Sequence, residues 1–216
     1  MKISVATQPF VGAMAELFDD DHPGIICPTH WDYDMEERWH SYDESKLLDA
    51  DLVIFTGGED INPTLYGEEN RWSAFNNSRD YAERFVFEQC VQFNKKMLGV
   101  CRGHQLLNAL TGGLLAQDLL RDLGVTHSGG HAFDWVAPEE SWIVPQTFRR
   151  VNSMHHQAVI RPGTGLTPTS SFRGVIESCE SENILTVQFH PEFMNDTQAR
   201  EFAKRVESWV MKGTAV

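Results

Sequence analysis

Met97-Leu98-Gly99-Val100-Cys101-Arg102-Gly103-His104-Gln105 is the stretch on which the reading of this chain turns. Residues 97–100 form a short apolar run, the pattern of a strand covered on both faces. Residues 103–110 read as a helix that stops at Gly112-Gly113. Cys101 therefore falls at a strand-to-helix corner. Such a corner exposes a side chain at a helix N-terminus, where free backbone N–H groups and the macrodipole favour a thiolate. The N–H of the next residue points at the oxygen of an attacked carbonyl, the logic of a nucleophile elbow with cysteine in place of serine. Gly99 and Gly103, two positions to either side, are the small residues that a tight turn needs. A cysteine after a strand is, by itself, more often a small core residue. The flanking glycines and His104-Gln105 shift the reading towards a nucleophile.

Working outward, the first half alternates strand and helix. Residues 2–7 read as a strand, 11–18 as a short helix and 24–27 as a second strand closed by Pro28. Residues 30–43, crowded with Trp31, Tyr33, Trp39 and Tyr42, read as an irregular loop with one helical turn. A short helix over 44–49 precedes the apolar strand 51–56, which ends in Gly57-Gly58. Residues 59–77, rich in Gly, Pro, Asn and Glu, suit a long functional loop. A helix starts near Asn77 or Ser78, with Ala82, Phe85, Val86, Cys90 and Phe93 at helical spacing. The region 114–189 holds several short strands, clearest at 173–178 and 184–189. A last helix begins near Asn195, with Gln198 as capping-box partner and Phe202, Ala203, Val206, Trp209 and Val210 on one face. This alternation predicts an α/β domain with a mainly parallel central sheet flanked by helices, and a smaller strand-rich segment.

Composition sets the bounds. The chain has 216 residues, 41% of them hydrophobic, which suits one domain over 1–216 and excludes wholesale disorder. No apolar run approaches the roughly 20 residues of a membrane span, and residues 1–9 lack the apolar stretch of a secretory signal. With 18 basic and 31 acidic residues the net charge is −13, so nucleic acid and anionic membrane are poor partners. Cys27, Cys90, Cys101 and Cys179 form no C-x-x-C pattern. That disfavours zinc-ribbon and thioredoxin-like readings and suits reduced thiols in a cytoplasm.

Two further segments carry chemistry. Gln188-Phe189-His190-Pro191-Glu192 follows a strand and sets a histidine two residues from a carboxylate, with Pro191 restraining the backbone between them. A general base needs such a partner to fix its tautomer, although a surface His-x-Glu at a strand end is common by chance. Thr56-Gly57-Gly58-Glu59-Asp60-Ile61-Asn62-Pro63, with Leu65-Tyr66-Gly67-Glu68, places glycines at the end of a strand. There they serve either an oxyanion site or a turn requiring positive φ. His127 and His131 are four apart, with His155-His156 later, but their strand-rich surroundings do not give helical i, i+4 ligand geometry, so no metal is expected. Asp19-Asp20-Asp21 reads as a solvated turn.

Together these segments resemble the class I glutamine amidotransferase-like proteins. Gly57-Gly58-Glu59-Asp60-Ile61-Asn62-Pro63, Leu65-Tyr66-Gly67-Glu68, Ser78-Arg79-Asp80, Arg102 and Val151-Asn152-Ser153-Met154-His155-His156-Gln157 are similar to the γ-glutamyl-γ-aminobutyrate hydrolase (peptidase C26) branch. The resemblance runs from about residue 50 to residue 210, and no motif of the branch matches the Trp31–Tyr42 stretch. It implies a flavodoxin-like fold and a cofactor-free amidohydrolase acting on small γ-glutamyl amides or glutamine. It implies Cys101 as nucleophile, His190 as general base and acid, and Glu192 as the group orienting His190. The backbone N–H groups of Gly58 and Arg102 would form the oxyanion hole, with Gly57, Gln105 and His155 near the bound substrate. Three other readings stand beside this one: a glutaminase supplying ammonia to a separate synthetase, a non-catalytic binding protein on the same fold, and a redox or chaperone-like protein with Cys101 as sensor. The sequence leaves an oligomer open.

Overall fold

The computed structural model describes residues 3–5, 14, 17–18, 29–30, 41–42, 44–126, 144, 148 and 150–212. Within them the chain runs β1 (Ile3–Val5), β2 (Thr29–His30), β3 (Ser41–Tyr42), α1 (Glu44–Asp49) and β4 (Leu52–Phe55). A 3-10 turn at Pro63–Tyr66 follows, then α2 (Asn77–Gln92), β5 (Lys96–Val100), α3 (Arg102–Leu110), β6 (Leu114–Ala116) and α4 (Leu119–Leu123). The second half contributes β7 (Ala158–Arg161), β8 (Thr167–Phe172), β9 (Val175–Glu180), β10 (Ile184–Val187), a 3-10 turn at Pro191–Phe193 and α5 (Asp196–Lys212).

One sheet carries the order β1-β4-β5-β10-β9-β7-β6, with β8 added on β9. Its centre is parallel, as the alternation predicts: β1 with β4, β4 with β5, and β5 with β10. The strand-rich segment extends this same sheet through antiparallel pairs from β10 to β9, β7 and β6. Side-chain alternation explains why the central strands read as continuous apolar runs. Leu52 and Ile54 of β4, Leu98 and Val100 of β5, and Leu185 and Val187 of β10 share one core with Phe202, Val206, Trp209 and Val210 of α5. Val53 and Phe55 of β4 and Met97 of β5 enter the other, with Val86 and Cys90 of α2 and Leu106 and Leu107 of α3. Both faces are covered, so polar alternation would leave buried groups without partners.

Helix ends follow local chemistry. Asn76 caps α2, its side-chain oxygen accepting from the N–H groups of Ser78 (3.0 Å) and Arg79 (3.1 Å). Asn195 accepts from the Gln198 N–H (3.1 Å), and the two side chains also meet. Of the helix expected over 11–18, Met14 and Leu17 are helical and buried. The strand expected over 24–27 lies outside the described residues. The ends of the expected 30–43 loop differ from a plain loop, because Thr29 pairs with Tyr42 and His30 with Ser41 as a short antiparallel ribbon. Such brief pairing leaves no periodic signal to read. Trp31, Tyr33 and Trp39 are outside the described residues. Among those described, no helix is long and apolar enough to cross a membrane.

The two glycines around Cys101 are demanded by close packing of α3 onto the sheet. A Cβ on Gly99 would lie 2.6 Å from the Gly103 carbonyl oxygen, and one on Gly103 would lie 2.0 Å from the Phe55 carbonyl oxygen. Gly103→Ala must push α3 away from β4, and overpacking of this kind costs about 1–3 kcal/mol. A denaturant titration should therefore show a lowered midpoint with an unchanged slope; an unchanged midpoint contradicts this contact.

Candidate active site

Three neighbouring parallel strands, β4, β5 and β10, end on the same edge of the sheet and deliver the site. In open α/β sheets ligands gather at the carboxyl ends of the strands. β4 leads into Thr56-Gly57-Gly58, β5 into Cys101, and β10 into Gln188-Phe189-His190.

Cys101 adopts φ 53° and ψ −103°, a strained left-handed conformation for a residue with a side chain. Its N–H donates to the Val187 carbonyl (2.8 Å), which pins the corner to β10. His190 lies on the adjoining strand end and shares a side-chain hydrogen bond with Cys101. On its other side, His190 Nδ1 is 2.8 Å from Glu192 Oε1. Burial pulls the His190 imidazole down, but the hydrogen bonds and negative charges of Cys101 and Glu192 outweigh it, raising its pKa to about 10.

The backbone on both sides of the imidazole is clamped by Asn152. Its Oδ1 accepts from the His190 N–H (2.8 Å), and its Nδ2 donates to the His190 carbonyl (2.6 Å). The Phe193 ring packs on the imidazole at 5.5 Å between centroids. Gly57 lies against the pair: a Cβ there would come within 2.8 Å of His190 Cε1 and 3.7 Å of Cys101 Cβ.

A cleft of about 250 Å³ opens over Cys101. Gly58, Glu59, Asp60 and Ala74 form one wall, and Gln105 with Met154–Gln157 the other. Gln105 donates through Nε2 to the Gln157 carbonyl and to Gln188 Oε1, both at 3.1 Å. His155 Nδ1 lies 2.8 Å from the Gln157 carbonyl, and Gln157 in turn donates to Ser73 Oγ (2.6 Å). Asp60 Oδ2 accepts from the Ala74 N–H (2.8 Å) and sits 3.2 Å from His156 Nε2 at the lip.

The residues to which the resemblance gives a role, Cys101, His190, Glu192, Gly57, Gly58, Arg102, Gln105 and His155, all fall at this strand edge. His104 faces away from it. Its ring meets Thr186 Oγ1 and the Ile176 carbonyl (2.8 and 3.1 Å), and burial pulls its pKa to about 4, so it is a neutral anchor of α3. His127 and His131 lie outside the described residues.

Sequence reasoning assigned no role to Asn152, to Asp60 or to a buried ionic cluster beneath the glycine loop. In that cluster Arg102 pairs with Asp80 (2.5 Å) and Glu83, while Arg79 pairs with Glu83 (3.0 Å) and Glu59 (2.8 Å). Burial pushes the Asp80 carboxyl up against the opposing pull of Arg102. The available signal was spacing. Arg79 and Glu83 share the helical stripe of Ala82, Val86 and Cys90, so two charges stand on the face that packs inward.

The chain is similar to known proteins over most of its length. The family model described as Peptidase C26 matches residues 40–192. The glutamine amidotransferase-like protein YvdE of Lactococcus lactis is 32% identical, over 99% of this chain and 90% of its own length. A glutamine-hydrolysing GMP synthase subunit of Saccharolobus solfataricus is 28% identical, over 74% of this chain and 76% of its own. The glutaminase domain of Trypanosoma brucei CTPS, solved with bound acivicin, shares the fold with a TM-score of 0.63 at 16% identity, covering 98% of this chain and 94% of that one. With a family match spanning most of the chain and a relative aligned along nearly all of it, this protein belongs to the peptidase C26 family.

Proposed function

We propose that the chain is a cysteine amidohydrolase that cleaves γ-glutamyl amide bonds through a γ-glutamyl thioester. The observation that carries this reading is the hydrogen-bonded series Cys101–His190–Glu192 beneath the cleft. Glu192 engages Nδ1 and leaves Nε2 of His190 to serve the thiol. The Cys101 thiolate attacks the γ-carbonyl carbon, and the N–H groups of Gly58 and Arg102 receive the oxyanion. The imidazolium gives its proton to the departing amine as the C–N bond breaks, leaving a thioester. Acylation removes the thiolate charge that held the His190 pKa up, so the imidazole becomes a base. It takes a proton from water, the hydroxide attacks the thioester, and glutamate leaves as the Cys101 thiolate returns.

A conjugate is favoured over free glutamine by the 57–68 loop and the 152–157 segment, both similar to the γ-glutamyl-γ-aminobutyrate hydrolase branch. The cleft also runs from Cys101 to exposed Met154 and His156, so an amine larger than ammonia has room to project towards solvent. The similarity to a GMP synthase subunit supports a second reading, a glutaminase that delivers ammonia to a synthetase. Glutamate release from a panel of γ-glutamyl amides and from glutamine separates the two, since the ratio of kcat/KM values compares transition-state binding. The isolated chain should hydrolyse at least one γ-glutamyl amine with a larger kcat/KM than glutamine. Inertness to every conjugate, with glutamine hydrolysis only after a synthetase is added, replaces the first reading by the second.

A further inference from the structure

The Gly57–Gly58 peptide lies between the Cys101–His190 pair and a buried guanidinium. Two successive glycines impose little conformational preference of their own, so something else must choose which way this peptide faces. Arg79 Nη2 donates to the Gly57 carbonyl at 2.9 Å. A Cβ on Gly58, whose φ is 148°, would lie 2.0 Å from Arg79 Nη1, so the guanidinium packs directly under the loop. In a trans peptide the carbonyl and the N–H point in opposite directions. The carbonyl of Gly57 and the N–H of Gly58 belong to the same peptide. Holding that carbonyl on the guanidinium turns the Gly58 N–H to the opposite side, towards the cleft that Gly58 shares with Cys101. The flipped peptide would instead aim a carbonyl oxygen at the developing oxyanion.

The guanidinium is itself fixed. Arg79 is 3% exposed, with Nε on Glu83 and Nη1 on Glu59. Glu83 is fully buried and uses its second oxygen to hold Arg102, whose backbone N–H is the other proposed donor. Asp80 ties Arg102 to the same loop, accepting from the Asn62 N–H at 2.8 Å. The planar fork of arginine suits such multiple, directed contacts, which an ammonium cannot reproduce together.

We propose that Arg79, held through Glu83, is a positioning residue that sets the Gly58 N–H towards the oxyanion and couples it to the Arg102 corner. This rests on the γ-glutamyl hydrolase reading. Every residue of the device belongs to this chain, so the oxyanion site is preset without a partner.

Two reactions of Cys101 test it. Acyl transfer from γ-glutamyl p-nitroanilide passes through an oxyanion; alkylation by iodoacetamide displaces iodide and develops no charge on a carbonyl oxygen. Losing one oxyanion donor costs about 100-fold in kcat. Arg79→Gln should show that loss in hydrolysis, with KM and the alkylation rate each within about threefold of the native values. Arg79→Lys, which retains a donor for the Gly57 carbonyl, should recover about tenfold of it. If Arg79→Gln does not fold, Arg79→Lys carries the same comparison, with a smaller loss confined to hydrolysis. Equal losses in both reactions, or an unchanged kcat, overturn the proposal. The carbon-13 shift of the Gly57 carbonyl reads the same peptide without turnover. It should move in the Arg79 variants, and an unmoved resonance overturns the positioning. If the native protein is inert to the anilide, kcat is read with a γ-glutamyl amine that it does cleave; inertness to every conjugate sinks the hydrolase reading, while the carbonyl resonance still decides the role of Arg79.

Discussion

Cys101→Ser is expected to abolish turnover of γ-glutamyl amides while leaving the thermal midpoint at that of the native protein. The expected loss in kcat is about 10⁵–10⁶-fold, the scale found when a nucleophile is removed from a preorganised site. A serine hydroxyl is far less acidic than a thiol, and its oxygen would need a strong base at the moment of attack. The fold is preserved because the corner is set by Gly99, Gly103 and the backbone bond to Val187, none of which involves the sulfur. No other described cysteine can substitute. Burial pushes the thiols of Cys90 and Cys179 to about 12, so both stay protonated in the core. Steady-state kinetics checks the loss; full activity in the serine variant removes Cys101 from the mechanism.

His190→Asn is expected to be as damaging, because the imidazole moves protons in both half-reactions. Glu192→Gln should cost at least about tenfold less, since it disturbs only the orientation and charge of the ring. The double variant should lose little beyond His190→Asn alone, because the residues act as one unit. The pH profile adds a sign. A pKa raised to about 10 keeps the proton on His190 below that pH and releases it above, so the alkaline limb of kcat/KM should fall near pH 10. Glu192 contributes to that elevation through its hydrogen bond and its charge. Glu192→Gln should therefore shift the alkaline limb to lower pH. A limb that does not move, or strictly multiplicative losses in the double variant, would show that the two residues do not share a site.

The parts of the fold legible in the sequence are those with a strong local period. α1 coincides with the helix read over 44–49, and α2 and α5 begin within a residue of their expected starts, because Asn76 and Asn195 cap them. β4 and β5 were legible as apolar runs because both of their faces are covered. The order of pairing in the second half was not, since nothing local in 175–180 says that β9 carries β8, β7 and β10 together. For the site, residues whose chemistry depends on one strand end, such as Cys101 or His190, could be named from spacing. Asn152 could not, because its partner lies 38 residues away and an asparagine in a loop has many uses. Arg79 and Glu83 stand on the inward stripe of α2 by spacing, but nothing local names Arg102, about 20 residues on, as the partner they and Asp80 enclose.

The thioester route requires a γ-glutamyl group carried on the sulfur of Cys101 during turnover. Mixing the protein with excess γ-glutamyl p-nitroanilide, quenching in acid during turnover and mapping the peptides by mass spectrometry reads it directly. The predicted result is a γ-glutamyl adduct on the peptide containing Cys101, absent from Cys101→Ser, in a fraction set at saturating substrate by the acylation rate over the sum of the acylation and deacylation rates. Product formation with an adduct on another residue, or full turnover by Cys101→Ser, would contradict it.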